Sequence, residues 1–181
     1  GSDVTSSFIT AAAADPDGVS TAAAVGNNAA LTLGGALASG GSVTFDSPRN
    51  VTILSGGDDS AISFTVAGTD ESGTAATESI TGADTGTATG TKFFATVTSI
   101  TAVGDPAGNV SAGSGTSCCG VISVARCRLR GIYVVNGSSA ATIVFREGSG
   151  TGTIKMQFAT VAGASTNSYP DVPDDGLLFV S

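Results

Sequence analysis

Val and Ile together outnumber Leu 26 to 7 in this 181-residue chain, and that ratio constrains the fold more than any motif does. β-Branched side chains pack well on a pleated strand and lose χ1 freedom in a helix, so apolar content of this kind favours sheets. Apolar positions also recur with period two. In Ala61-Ile62-Ser63-Phe64-Thr65-Val66, the residues Ile62, Phe64 and Val66 fall on one face, and Ser63 and Thr65 on the other. Val43/Phe45, Val51/Ile53 and Ile154/Met156/Phe158 repeat the pattern, with the turn-prone Asp46-Ser47-Pro48 between the first two pairs. Ile132-Tyr133-Val134-Val135 is apolar on both faces, as suits a strand inside a sandwich. The helix-like run from Ala11 to Ala14 is too short to stand alone. The expected class is all-β.

Gly, Ala, Ser and Thr supply 100 residues and Val, Ile, Leu and Phe only 41, so the core must be thin. Turn signals are dense: Asp17-Gly18, Gly56-Gly57-Asp58-Asp59, Glu71-Ser72-Gly73, Asn136-Gly137 and Asp175-Gly176. Asn136-Gly137 stands between Ile132–Val135 and Ala141–Phe145 and predicts a hairpin. Short strands so closely punctuated read as a β-sandwich or jelly-roll-like module.

A boundary is expected within residues 104–120, where Asp105-Pro106-Ala107-Gly108 and the run Ser111–Ser117 look like linker. Charge changes there too. Residues 1–113 hold Arg49 and Lys92 against eleven carboxylates, a balance of −9, whereas 114–181 hold five basic and four acidic side chains, a balance of +1. The expectation is an acidic β-sandwich module with an N-terminal arm over 1–113, followed by a smaller β module over 114–181. Sixty-eight residues make a small independent domain, so the second module is expected to lean on the first or on a neighbouring subunit.

With no His in the chain, neither Ser-His-Asp nor Cys-His catalysis can be assembled, and no His-liganded metal centre is available. Three Cys alone make a poor zinc set. A formal charge of −8 argues against neutralising nucleic-acid phosphates. No run of 18 apolar residues exists to span a membrane as a helix, and no basic stretch followed by an apolar run marks a signal peptide. The expectation is a non-enzymatic chain with no cofactor, no metal, no nucleic-acid partner and no membrane partner.

Several segments resemble structural proteins of tailed-bacteriophage virions. They are Val51–Asp70, Glu78-Ser-Ile-Thr-Gly82 and Thr91–Thr101 in the first half. In the second half they are Arg128–Gly137, Ile143-Val-Phe-Arg-Glu-Gly148 and Asp175-Gly176, and the resemblance spans about residues 30–181. It implies a virion protein with no catalytic residues, and within that class a head decoration or cement protein on the outer capsid surface. The implied partners are the major capsid protein and copies of the chain itself, as a homotrimer. Another virion part (head fibre, tail tube or tail-fibre module) and a β module binding carbohydrate or a host surface are the alternatives. Proteins of this look carry a further strand or two after Asp175-Gly-Leu-Leu-Phe179, so the last module is expected to be incomplete or to be completed by another subunit.

Sharper motifs carry less. Asp15-Pro-Asp17-Gly18 and Asp171/Asp174/Asp175 offer oxygen ligands but match no full calcium loop and read as turns. Gly148-Ser-Gly-Thr-Gly152 lacks the Lys-Ser/Thr and the helix of a phosphate loop. Asp58/Asp59 and Asp70/Glu71 lie in expected turns, with no Trp and two Tyr to stack a sugar. Cys118 and Cys119 alternate across a strand, so either one bonds Cys127 or all three serve as small buried hydrophobes. Arg126, Arg128 and Arg130, spaced by two, would line one face of a strand. That row is either a solvated face or an ionic contact surface, for which the planar guanidinium fork is suited. Leu177, Leu178 and Phe179 would form an apolar strand edge left unpaired, and with the three arginines they are the candidate interface.

Overall fold

The computed structural model describes residues 12–121, 127–129, 132–135, 138–148, 150–168 and 177–179, and of 127–129, 132–133, 165–168 and 177–179 the backbone alone. All regular structure among them is β-strand, as the β-branched content requires. The chain divides into two compact units, Gly1–Gly120 and Val121–Ser181.

One strand organises the first unit. β3 (Ser42–Asp58) is 17 residues long, and its two halves have different neighbours. Its first half lies between β2 (Ala38–Ser39) and β7 (Phe94–Val103), with Val43 opposite Val97. Its second half lies between β8 (Asn109–Cys118) and β6 (Asp84–Thr89), with Ile53 opposite Ala112 and Ala88. β7 continues to β4 (Ser63–Thr69) and β5 (Ala75–Thr81), while β8 continues to β1 (Asp15–Ala24). Where β3 leaves β7, residues 28–31 take its place: the Leu31 N–H donates to the Ile100 carbonyl at 2.8 Å and that of Ala102 to Ala29 at 2.9 Å.

Phe64, Val66 and Ile100 from one half of the sheet and Val19, Ile53 and Val110 from the other meet in a single buried cluster. The unit is therefore sandwich-like, two halves of one antiparallel sheet facing each other with β3 common to both. Asp46-Ser47-Pro48, expected as a turn, is instead a bend inside β3. Pairing shifts register between Thr44 and Arg49, and the Pro48 carbonyl accepts the Cys119 N–H at 2.9 Å. Proline lacks the ladder N–H, and an irregular corner is where a strand tolerates it. Asp15-Pro-Asp17-Gly18 likewise opens β1 as an irregularity rather than a turn, with Asp15 opposite Ser114 and Ser20 opposite Ala112.

The Ser/Gly run 111–117 is not a linker. It lies in β8, between β1 and β3, and Ser111 to Gly115 are buried. A Cβ at Gly113 would collide with the backbone of Asp15 and Pro16. Small residues are there to let strands approach closely, which by composition alone looks like flexibility. β8 thus belongs whole to the first unit, and the division between units falls after it.

In the second unit β9 (Cys127–Leu129) pairs β14 (Leu177–Phe179), β10 (Ile132–Val135) pairs β13 (Ser165–Ser168), and β11 (Thr142–Arg146) pairs β12 (Ile154–Ala159). The three antiparallel pairs nest one inside the next. The hairpin expected across Asn136-Gly137 does not form, since β10 and β11 take other partners; the two turn residues lie outside the described ones. Cross-strand chemistry outweighs the turn signal here: Ile143 stands opposite Phe158 and Phe145 opposite Met156, and the two Phe rings stack with centroids 6.4 Å apart.

Candidate interaction surface

Two segments that the sequence singles out separately are strand partners. β9 carries Arg128 and β14 carries Leu177, Leu178 and Phe179, with Leu178 opposite Arg128, Leu177 opposite Leu129 and Phe179 opposite Cys127. The Leu-Leu-Phe strand is therefore not an unpaired edge; one side of it is used by the arginine strand. Arg126 and Arg130 lie outside the described residues, as do Asp171, Asp174 and Asp175.

Around these strands the second unit is thinly packed. Among its described residues Thr160 is buried, held by paired bonds with Ala141 at 3.0 and 3.1 Å, but no apolar side chain is. Ile143, Phe145, Met156 and Phe158 share one face of the β11–β12 hairpin and are each half-buried. Val135 is 71% exposed, Val161 67% and Ile154 46%. Gly148 and Gly150 to Gly152 lie in the connection between β11 and β12, closed by the Glu147 N–H on the Thr153 carbonyl at 3.0 Å and by Arg146 Nη1 on Gly152 at 2.9 Å.

The strongest polar constellation is one that the sequence reading passed over. Arg49, at the bend of β3, is 1% exposed. Its Nη2 donates to the Ala12 carbonyl at 2.6 Å, and its Nη1 to Ala13 and Gly115, both at 3.3 Å. Its Nε donates to Asp46 Oδ1 at 3.2 Å. Partial burial raises the Asp46 carboxyl, but the Ser47 N–H, the Arg49 guanidinium and the Ala12 N–H outweigh it and hold it below the usual carboxylate range. Arg49 thus fastens the N-terminal arm to the sheet through main-chain carbonyls, a use that suits a forked donor. An Asp-x-x-Arg pair flanking Pro48 inside a strand otherwise nearly free of charge was the available signal.

Of the carboxylates read as turn formers, Asp58, Asp59 and Asp70 act so. Asp59 is buried, accepts the Ala107 N–H on Oδ1 at 2.7 Å, and donates its own N–H to the Ala83 carbonyl at 2.9 Å, tying three connections together. Asp58 Oδ1 takes the Ser60 N–H and hydroxyl at 3.1 and 2.6 Å, which holds its pKa down. Asp70 Oδ1 accepts from Ser72 and Thr74 at 2.8 and 2.9 Å. Among the described residues no cluster of three His, Cys, Asp or Glu is placed to hold a metal. Cys118 and Cys119 are free thiols, both half-buried. Burial raises both, with Glu71, Cys118 and Asp70 pushing Cys119 further, up to about 12. A cleft of about 220 Å³ beside the arm is lined by Ala14, Pro16, Thr52, Thr87, Thr89 and Thr116 among others, without a charged side chain. It is smaller than the roughly 300 Å³ at which small-molecule sites begin.

Compared with protein families, with curated proteins and with solved structures, the chain finds no match.

Proposed function

We propose that this chain is a non-enzymatic structural protein of a tailed-phage virion, and that it binds the outside of the head as a decoration or cement protein. The observation that carries the reading is the resemblance of Val51–Asp70, Thr91–Thr101 and Arg128–Gly148 to virion structural proteins, segments that fall on β3, β4 and β7 in one unit and on β9 to β11 in the other. The second unit supports it physically. A unit whose described apolar side chains remain half-exposed gains stability by covering them against another subunit. Contacts repeated by shell symmetry hold a coat even when each is small.

The partners in this reading are the major capsid protein and further copies of the chain, as a homotrimer. The test is co-sedimentation of the purified chain with empty phage heads over a salt series. Saturable binding that weakens as salt rises supports a coat protein whose second-unit arginines contribute. Absence of binding to heads and to every other virion component overturns the reading. Binding to glycans that EDTA abolishes favours the carbohydrate alternative instead.

A further inference from the structure

The β5-β4-β7 layer of the first unit shows solvent a face with no charged residue on it. Phe64 and Val66 of β4 point into the core, so Ser63, Thr65, Ala67 and Thr69 point out. Register places Thr65 between Ser79 of β5 and Thr101 of β7, and Ala67 between Thr77 and Ser99. The rows on either side continue with Thr, Ser, Ala and one Val, giving twelve positions in four rows, all half-buried or exposed. The carboxylates lie elsewhere: Asp58, Asp84 and Asp105 sit at or beside the connections at one end, Asp70 and Glu71 sit in the β4–β5 turn, and Glu78 of β5 is on the opposite side, opposite Val66, where it accepts the Thr91 and Lys92 N–H groups. The charge nearest this face is the Lys92 ammonium, which donates to the Thr77 carbonyl of β5 at 2.8 Å.

This placement matters because the first 113 residues carry a balance of −9. Two copies that meet through a carboxylate-bearing surface repel each other, whereas two that meet through this face bring hydroxyls and methyls together. Thr, Ser and Ala lose little rotamer freedom on burial, and their small size lets two sheets approach face to face. We infer that this face is a self-association surface whose occupant is the same face of a second copy. Such a contact is two-fold and joins copies in pairs, so it is separate from the three-fold contacts of the proposed homotrimer, and it rests on the coat reading only for the lattice that multiplies it.

The area sets its strength. One-face positions lie about 4.8 Å apart across strands and about 6.7 Å along them, so twelve cover roughly 400 Å² per copy. A stable dimer buries about 800 Å² per partner, so this contact is weak and concentration-dependent in solution. Salt dependence separates it from any contact made by the arginines. Screening relieves the repulsion between two acidic units, so association through this face strengthens with salt, whereas an Arg–carboxylate contact weakens.

The test uses the full chain without capsids, by sedimentation velocity up to about 1 mM in low and high salt. Thr65→Glu places a carboxylate at the centre of the face, and Thr77→Glu does so on the more exposed β5 should the first fail to fold. Thr87→Glu adds the same charge to an exposed site on β6 as a control, and Thr65→Val keeps the face uncharged. The expected result is reversible association of wild type, Thr65→Val and Thr87→Glu, stronger at high salt, with at least a tenfold loss in Thr65→Glu or Thr77→Glu. A monomeric wild type at every concentration, or face variants that associate like the control, overturns the inference. Head binding measured on the same proteins is a separate readout, so the coat reading can stand when this one falls.

Discussion

Arg49→Ala removes the side chain that joins the arm, the bend and β8. Three main-chain carbonyls, Ala12, Ala13 and Gly115, lose their donor, and the Gly115 bond is fully buried. Asp46 is 47% exposed and can turn to water, so the cost comes from the carbonyls, the void and the released arm rather than from a stranded carboxylate. A buried acceptor left without its donor costs about 1–3 kcal/mol, so one fully buried and two part-buried carbonyls together with the void cost about 3–5 kcal/mol. For a unit the size of Gly1–Gly120 that corresponds to a fall in melting temperature of roughly 10–20 °C. Arg49→Lys keeps the charge without the fork and falls between the two; Arg49→Met, which fills the space without donors, separates packing from hydrogen bonding. The chain has no Trp, and both Tyr lie beyond residue 120, so far-UV circular dichroism is the assay for the first unit. Amide exchange along Asp15–Ala24 adds a local readout, with β1 expected to lose protection in Arg49→Ala. A variant within about 1 kcal/mol of wild type and with β1 protection unchanged would refute the clamp.

The Cys119 thiol, raised to about 12 against an ordinary 9.0, favours the protonated form in the folded state. Its stabilisation is present below pH 9 and is lost as pH rises from there towards 12, so Cys119→Ala should flatten the alkaline limb of a pH–melting profile. At pH 8 iodoacetamide should modify Cys119 far more slowly in the folded chain than in urea; equal rates by mass spectrometry would contradict this. Asp58, held low by Ser60, contributes stability above pH 3.8 that is lost as pH falls through its folded value, and Ser60→Ala should move its NMR titration midpoint upward. Gly113→Ala forces a Cβ into the β1 backbone and should cost about 2–3 kcal/mol, whereas Gly148→Ala meets no atom and bears only the strain of its φ of 78°, about 1 kcal/mol; equal melting shifts would show that β8 is loosely packed.

What the sequence makes legible follows from range. Phe64 and Val66 alternate with Ser63, Thr65 and Ala67, and β4 with its buried and half-buried faces could be read directly from that local period. β3 could not, because Asp46-Ser47-Pro48 carries a turn's composition and only the distant β7 and β8 make it a bend in one strand. The Ser/Gly run of β8 failed for the same reason: small side chains serve flexibility and close packing equally, and the deciding neighbour is Asp15-Pro16, about a hundred residues away. Arg128 and Leu178 were each visible as unusual, but their pairing across some fifty residues was not. Arg49 entered only the charge balance, since nothing local shows that the arm returns to cover it.

The central claim, that the chain coats a phage head from outside, is tested most directly by a side-chain-resolution cryo-EM map of the parent particle. A decoration protein gives density for both β units outside the shell, repeated by its symmetry, with subunits contacting the capsid protein and one another. Density confined to the tail, or no density for this chain anywhere on the particle, would contradict it.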